Sequence, residues 1–296
     1  FVGRVLALPV PLATPNATPP PMATVLANTA PEMLLRALGR GLRHADALVQ
    51  YFACLVIARA LQRVEHVERA ARRMSLHFDE PHDGAWTEAR RTLELAWRKR
   101  FPSVDAVAQL VAETGSMRQE AALRVLALYH TALPSMTFDT RYDAGKLLSS
   151  AFLETTAKGP LHLERLCQLH ALQIVSRTTE AAYDFAAKAQ SAWPGCALRS
   201  NLHFLLALYS QTDGAVRRRA AALLHSQLGG SALFAHDPAE LHAWLAALPR
   251  NDTAVPSVLN FWDECMQRCL KTPYRYAERA RALVAQTLPN APEEAC

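Results

Sequence analysis

Three groupings in this 296-residue chain bring together residue types able to act on a metal, an RNA or a phosphate. Cys265 and Cys269 stand four apart, so on a helix both sulfurs would leave the same face and could share an ion. A structural zinc site takes about four ligands. No neighbouring Cys or His completes that set, and only folding could bring His236 or His242 to it. Two small side chains on a packed face are therefore expected, and no metal. Arg72 and His77 pair a cation with an imidazole, the combination that an RNA phosphodiester needs for general acid–base attack. Asp79 and Pro81 follow directly, which suits a helix end with a surface ion pair or cap. The third grouping is basic: Arg90, Arg91, Arg98, Lys99 and Arg100 in one segment, and Arg217, Arg218 and Arg219 in another. Arginine binds phosphate through a planar fork of donors. Such contacts position RNA without reading its sequence. These eight residues are the candidate RNA-binding set, with no catalytic residue among them.

The Arg72/His77 pair resembles the Arg-x4-6-His element of the all-helical HEPN ribonucleases, in which the two residues act together on RNA. That resemblance consists of these two residues alone. Other catalytic signatures are missing from the sequence: no GxxxxGK[ST] phosphate loop, no GxGxxG, no HExxH and no GxSxG elbow. The Asp-rich magnesium motif of helical isoprenoid enzymes is also missing, and Asp263 with Glu264 reads as the solvent side of an amphipathic helix. The sequence thus predicts a protein that is not an enzyme and needs no cofactor.

Positioning these residues falls to helices. Leucine and alanine are abundant, glycine is scarce at 11, and the 18 prolines cluster at the start and between apolar-periodic stretches. Segment 202–228 reads as one apolar helix, a turn at Asp213-Gly214, then a second helix opened by the three arginines. Segment 103–133 repeats that layout around Gly115-Ser116. Further helices are predicted over 46–73, 86–99, 142–156, 160–176, 180–193, 238–248 and 255–270, with a last one opened by Pro273. In 46–73 the inward set is Val49, Phe52, Leu55, Val56, Leu61, Val64 and Val67, with Cys54 buried in the apolar run. In 86–99 it is Trp86, Leu93 and Trp97.

The two hairpins resemble the degenerate helical pairs of HEAT-like and armadillo-like solenoids, although no strict repeat period runs through the chain. The predicted fold is all-α: an irregular helical-hairpin array, either solenoid-like or two packed helical lobes. Residues 1–30, with Pro9, Pro11, Pro15 and Pro19 to Pro21, are predicted to form an extended arm. Residues 31–288 form the helical body and 289–296 a flexible tail.

A net charge of +5 and a pI near 9.0 favour a polyanionic partner, and lysine occurs at only five positions, so the charge is almost all arginine. The six cysteines are too sparse for a disulfide framework, which favours reduced thiols inside a cell. The most apolar window, 45–61, is interrupted by Asp46, Gln50 and Arg59, so no transmembrane segment is expected. Removal of an organellar targeting peptide would produce a start at Phe1, as would a disordered start or an incompletely represented chain; a mitochondrial location is expected, with the cytoplasm as the alternative. The reading that joins these features is a non-catalytic scaffold or accessory subunit of a large ribonucleoprotein assembly, such as a mitochondrial ribosome or its assembly machinery. It would contact other protein subunits and structured RNA phosphates. A protein-only helical adaptor and a helical RNA-processing enzyme are the alternatives.

Overall fold

The computed structural model describes residues 18–80, 83–112, 116–138, 140, 142, 144–145, 147–148, 161–178, 188–189, 199–231, 234, 238–250, 255–275, 278–279 and 282. The fold is all-α, and the chain divides into two compact units between Tyr183 and Asp184.

In the first unit the helices are α1 (Met22–Thr29), α2 (Glu32–Gly41), α3 (Ala47–His77), α4 (Ala85–Arg100), α5 (Val104–Ala108), α6 (Met117–Ala132) and α7 (Leu161–Val175). The cap of α3 is Asp46, whose Oδ1 accepts from the Leu48 N–H at 2.7 Å, and that of α6 is Ser116, whose Oγ accepts from the Gln119 N–H at 3.1 Å. Helix α6 is the centre of the unit, held between α3 and α7. Leu123, Val125, Leu126 and Tyr129 are buried in it, and so are Gln119 and Glu120. A helix covered on more than one side loses its polar face, which explains why polar residues are enclosed there.

Helix α3 turns Ala53, Cys54, Ile57, Ala60, Leu61, Val64 and Val67 inward. Leu61, Val64 and Val67 are the expected core residues, whereas Val49 and Phe52 are exposed, Phe52 at 55%. The small side chains of Ala53, Cys54 and Ala60 let a neighbouring helix approach closely, so they occupy the face on which bulkier Phe52 was expected. By length and composition α3 could cross a membrane. Its apolar face is instead packed on α6, as in the core helix of a folded unit.

Helix α4 buries Trp86, Leu93 and Trp97, the stripe its sequence predicts. Each large apolar side chain so enclosed stabilises the fold by ~1.5–3 kcal/mol relative to exposure. The expected extended arm over residues 1–30 is corrected at its end. After Pro19 to Pro21 the chain turns helical, because Val25 and Leu26 find a buried site and Pro21 sits at the N-cap, where its carbonyl accepts from the Val25 N–H at 3.3 Å and its missing N–H costs no helical bond. Trp97 Nε1–H then donates to Thr29 Oγ1 at 3.0 Å, and Thr29 donates to the Val25 carbonyl at 2.8 Å, locking α1 onto α4. Residues 1–17, most of the predicted helix over 142–156 and the tail 289–296 lie outside the described residues.

The second unit holds a two-residue antiparallel ladder, β1 (Lys188–Ala189) with β2 (Arg199–Ser200), followed by α8 (Asn201–Gln211), α9 (Gly214–Leu228), α10 (Pro238–Ala246) and α11 (Val255–Lys271). The helix expected over 180–193 is thus replaced at 188–189 by strand pairing; the rest of that segment lies outside the described residues. Helices α8 and α9 form the predicted hairpin, with Gly214 at φ +65°, a left-handed conformation that glycine adopts without steric cost. Every residue from Asn201 to Ser210 is buried, with α9 and α11 packed on α8. Trp244 of α10 meets Trp262 of α11 edge-on at 5.5 Å. Residues 273–275, 278–279 and 282 are helical, where the last helix is predicted.

Candidate nucleic-acid interface

The structure sorts the predicted basic residues by what else they touch. In the first unit, Arg90 reaches from α4 to Glu68 of α3, donating through Nε at 2.9 Å and also through Nη2, so it fastens two helices together. Arg100 Nη1 donates to the Ala30 carbonyl at 3.0 Å and closes the end of α1. Arg91 is exposed, with Glu88 at 3.7 Å along the same helix. Arg98 and Lys99 are exposed in the last turn of α4, a position that also complements the helix dipole. In the second unit, Arg217 lies over the Tyr209 ring at 4.4 Å and joins the two helices of the hairpin. Arg218 and Arg219 are exposed beside it. Packing therefore holds Arg90, Arg100 and Arg217, while Arg91, Arg98, Lys99, Arg218 and Arg219 present charge to solvent.

A basic surface that the sequence reading missed lies in the second unit. An open groove is lined by Arg268, Lys271, Thr272, Arg275 and Arg279. Spacings of three, four and four would have marked one helical face, but Thr272-Pro273 interrupts the pattern and conceals it. Glu264 pairs with Arg268 at 2.9 Å, both side chains being largely exposed.

The groups that could do chemistry are placed differently. Arg72 and His77 are both exposed near the end of α3, which gives them no enclosed site. Cys265 and Cys269 share one face of α11, and burial raises the Cys269 thiol, an effect to which Cys265 adds. No cluster of three metal-ligating side chains occurs among the described residues. Ser200, His203 and Asp263 have the residue types of a hydrolytic triad but are wired as a helix cap. Ser200 Oγ donates to Asp263 and accepts from the His203 backbone N–H at 3.0 Å, while Gln267 donates to the same Asp263 oxygen at 2.9 Å. Ser200 is fully buried, so no substrate reaches it.

The first unit contains a buried polar cluster. Glu120 Oε1 accepts from Arg124 Nη2 at 2.6 Å and from His170 Nε2 at 3.1 Å. Burial disfavours the Glu120 carboxylate, yet the hydrogen bonds from His170 and Arg124 outweigh it and hold its pKa below the usual value. Nearby, His130 Nε2 is hydrogen-bonded to the Tyr142 hydroxyl. Burial, then the Arg177 charge, lower His130 to about 4, and burial raises Tyr142. These groups join α6 to its neighbours.

Residues 193–293 match the family model described as URB1, central HEAT repeat domain. The match lies within the second unit and covers about a third of the chain. No curated protein matches the chain, and no solved structure does. HEAT repeats stack helix pairs so that neighbours bury each other's apolar faces and the outer faces form binding surfaces. Enclosure of α8 by α9 and α11 is that arrangement within one unit. Both units are all-α, and the matched residues 193–293 are similar to a HEAT repeat domain.

Proposed function

We propose that this protein is a non-catalytic scaffold, an accessory subunit of a large ribonucleoprotein assembly, with ribosome assembly as its setting. The observation that carries the reading is the similarity of residues 193–293 to the URB1 central HEAT repeat domain, in a unit whose helix α8 is buried from Asn201 to Ser210. A fold of that kind commits its interior to packing and leaves its outer faces for partners. Exposed Arg98, Lys99 and Arg218 supply charge for phosphate contact. Leu48 and Phe52, one turn apart on α3 and 59% and 55% exposed, supply an apolar ridge suited to a protein neighbour. That ridge is also the observation that favours the protein-only adaptor as a second reading.

Crosslinking in native extract, followed by identification of bound RNA and protein, separates the two. The informative variant is Arg98→Gln/Lys99→Gln/Arg218→Gln, because Arg217 also holds Tyr209 and its loss would disturb packing. RNA crosslinks that weaken in this variant support the ribonucleoprotein role. Protein crosslinks alone, unchanged by the substitutions, leave the adaptor. Mitochondrial residence is a separate proposal: a full-length tagged chain in the matrix supports it, and a signal confined to other compartments contradicts it.

A further inference from the structure

Among the described residues, the groove lined by Arg268, Lys271, Thr272, Arg275 and Arg279 gathers four cations and no carboxylate on its walls. Arg268 and Lys271 occupy the last turn of α11, where cations offset the negative end of the helix dipole. That dipole does not account for Arg275 and Arg279, which come from the following segment and turn toward the same space. Like charges that converge repel one another, so the arrangement is stabilised by an anion placed among them. Glu264 touches Arg268 from outside the groove in a largely exposed pair, which screening weakens. Glu278, next to Arg279, is exposed and does not line the groove. Tyr274 is 78% exposed between two lining residues in sequence and offers a ring face on which a base can stack.

We propose that this groove binds the sugar-phosphate backbone of single-stranded RNA, with Arg268, Lys271, Arg275 and Arg279 neutralising phosphates; the Thr272 hydroxyl on the same wall donates back to the Arg268 carbonyl at 3.3 Å. The choice of RNA among polyanions rests on the ribonucleoprotein reading above. The lining side chains are exposed, so backbone phosphates can reach them, and contacts to phosphate position a strand without selecting sequence.

The test uses the full chain and a labelled oligouridylate of about 20 nucleotides, with binding followed by fluorescence anisotropy from about 50 to 200 mM salt. Neutralising four phosphate contacts on a single strand removes roughly 3 from the slope of log affinity against log salt. The variant Arg268→Gln/Lys271→Gln/Arg275→Gln/Arg279→Gln should lose at least about tenfold in affinity at the lower salt and show that shallower slope. Arg268→Lys/Arg275→Lys/Arg279→Lys keeps the charge and should keep the slope, which guards against a folding artefact. If the neutral variant binds as the parent does while Arg98→Gln/Lys99→Gln/Arg218→Gln weakens binding, the groove assignment is overturned and the ribonucleoprotein reading stands. If the parent does not bind the oligonucleotide, both fall. Groove-dependent binding to phosphatidylserine vesicles without RNA binding would assign the site to a lipid surface and overturn the proposal.

Discussion

Acidification should destabilise the first unit through one imidazole. His130 projects from α6, half-buried, with its ring edge-on to Tyr142 at 6.1 Å and Nε2 in hydrogen bond with that hydroxyl. Burial raises Tyr142, so the phenol keeps its proton and can donate to His130 Nε2 in the tautomer that carries its hydrogen on Nδ1. Burial first, and Arg177 second, bring His130 from 6.5 to about 4. Between those values the unfolded chain binds a proton that the folded chain refuses, so the unfolded state holds more protons and stability falls as pH drops through this window. At pH 5 the full linkage would be ~2 kcal/mol, and partial exposure of the ring reduces it to ~1 kcal/mol. For a unit of this size ~1 kcal/mol corresponds to a melting temperature lower by about 2–4 °C. Thermal unfolding of the parent and of His130→Gln, each between pH 7.5 and 5, measures the term. Glutamine can still accept from Tyr142 but does not titrate, so the variant should lose less stability over the range. Identical pH dependence in the two proteins, or an imidazole that titrates near its ordinary 6.5 by NMR, would refute the reasoning.

Three other outcomes follow from buried contacts. Glu120→Gln keeps shape but removes the charge that His170 and Arg124 bind. It should cost ~1–2 kcal/mol at neutral pH, a difference that persists down to the unfolded carboxylate value and is lost as pH falls through the depressed folded value; equal melting at pH 7 contradicts it. Trp97→Phe removes the 3.0 Å hydrogen bond to Thr29. Together with the lost ring volume it should destabilise the α1–α4 contact by ~1–3 kcal/mol, seen as faster amide exchange in α1 than elsewhere in the unit. Cys54 is fully buried and its thiol is raised to about 12 by burial against the opposing Arg118 charge. A thiol reagent at pH 8 should therefore label Cys265 well before Cys54, and equal labelling would show that α3 is not packed as described.

Much of this fold was readable in the sequence because short-range chemistry decides it. The Trp86, Leu93 and Trp97 stripe falls on one helical face whatever it packs against, and Asp213-Gly214 can only be a turn between two apolar helices. What the sequence concealed depends on long-range packing. On α3 the apolar residues outnumber the positions one face can hold, and the small ones, not Phe52, won the interior because they admit close approach. Glu120 meets His170 only across an interhelical contact 50 residues away in sequence, so its burial was invisible. The same holds for α1, whose three preceding prolines argued for extended chain until Trp97 supplied a partner for Thr29. Of the basic candidates, runs of adjacent arginines were easy to see, but adjacency on a helix spreads side chains around the axis. Arg268, Lys271, Arg275 and Arg279 are spaced to share a wall, and their interruption by Pro273 kept them from notice.

Sedimentation of the full-length tagged chain from gently lysed cells, with and without ribonuclease, tests the scaffold reading most directly. Membership in a ribonucleoprotein assembly predicts co-migration with large ribosomal precursors and a shift to lighter fractions once RNA is digested. A chain that stays at the top of the gradient under both conditions, or that migrates in a heavy complex indifferent to ribonuclease, would contradict it.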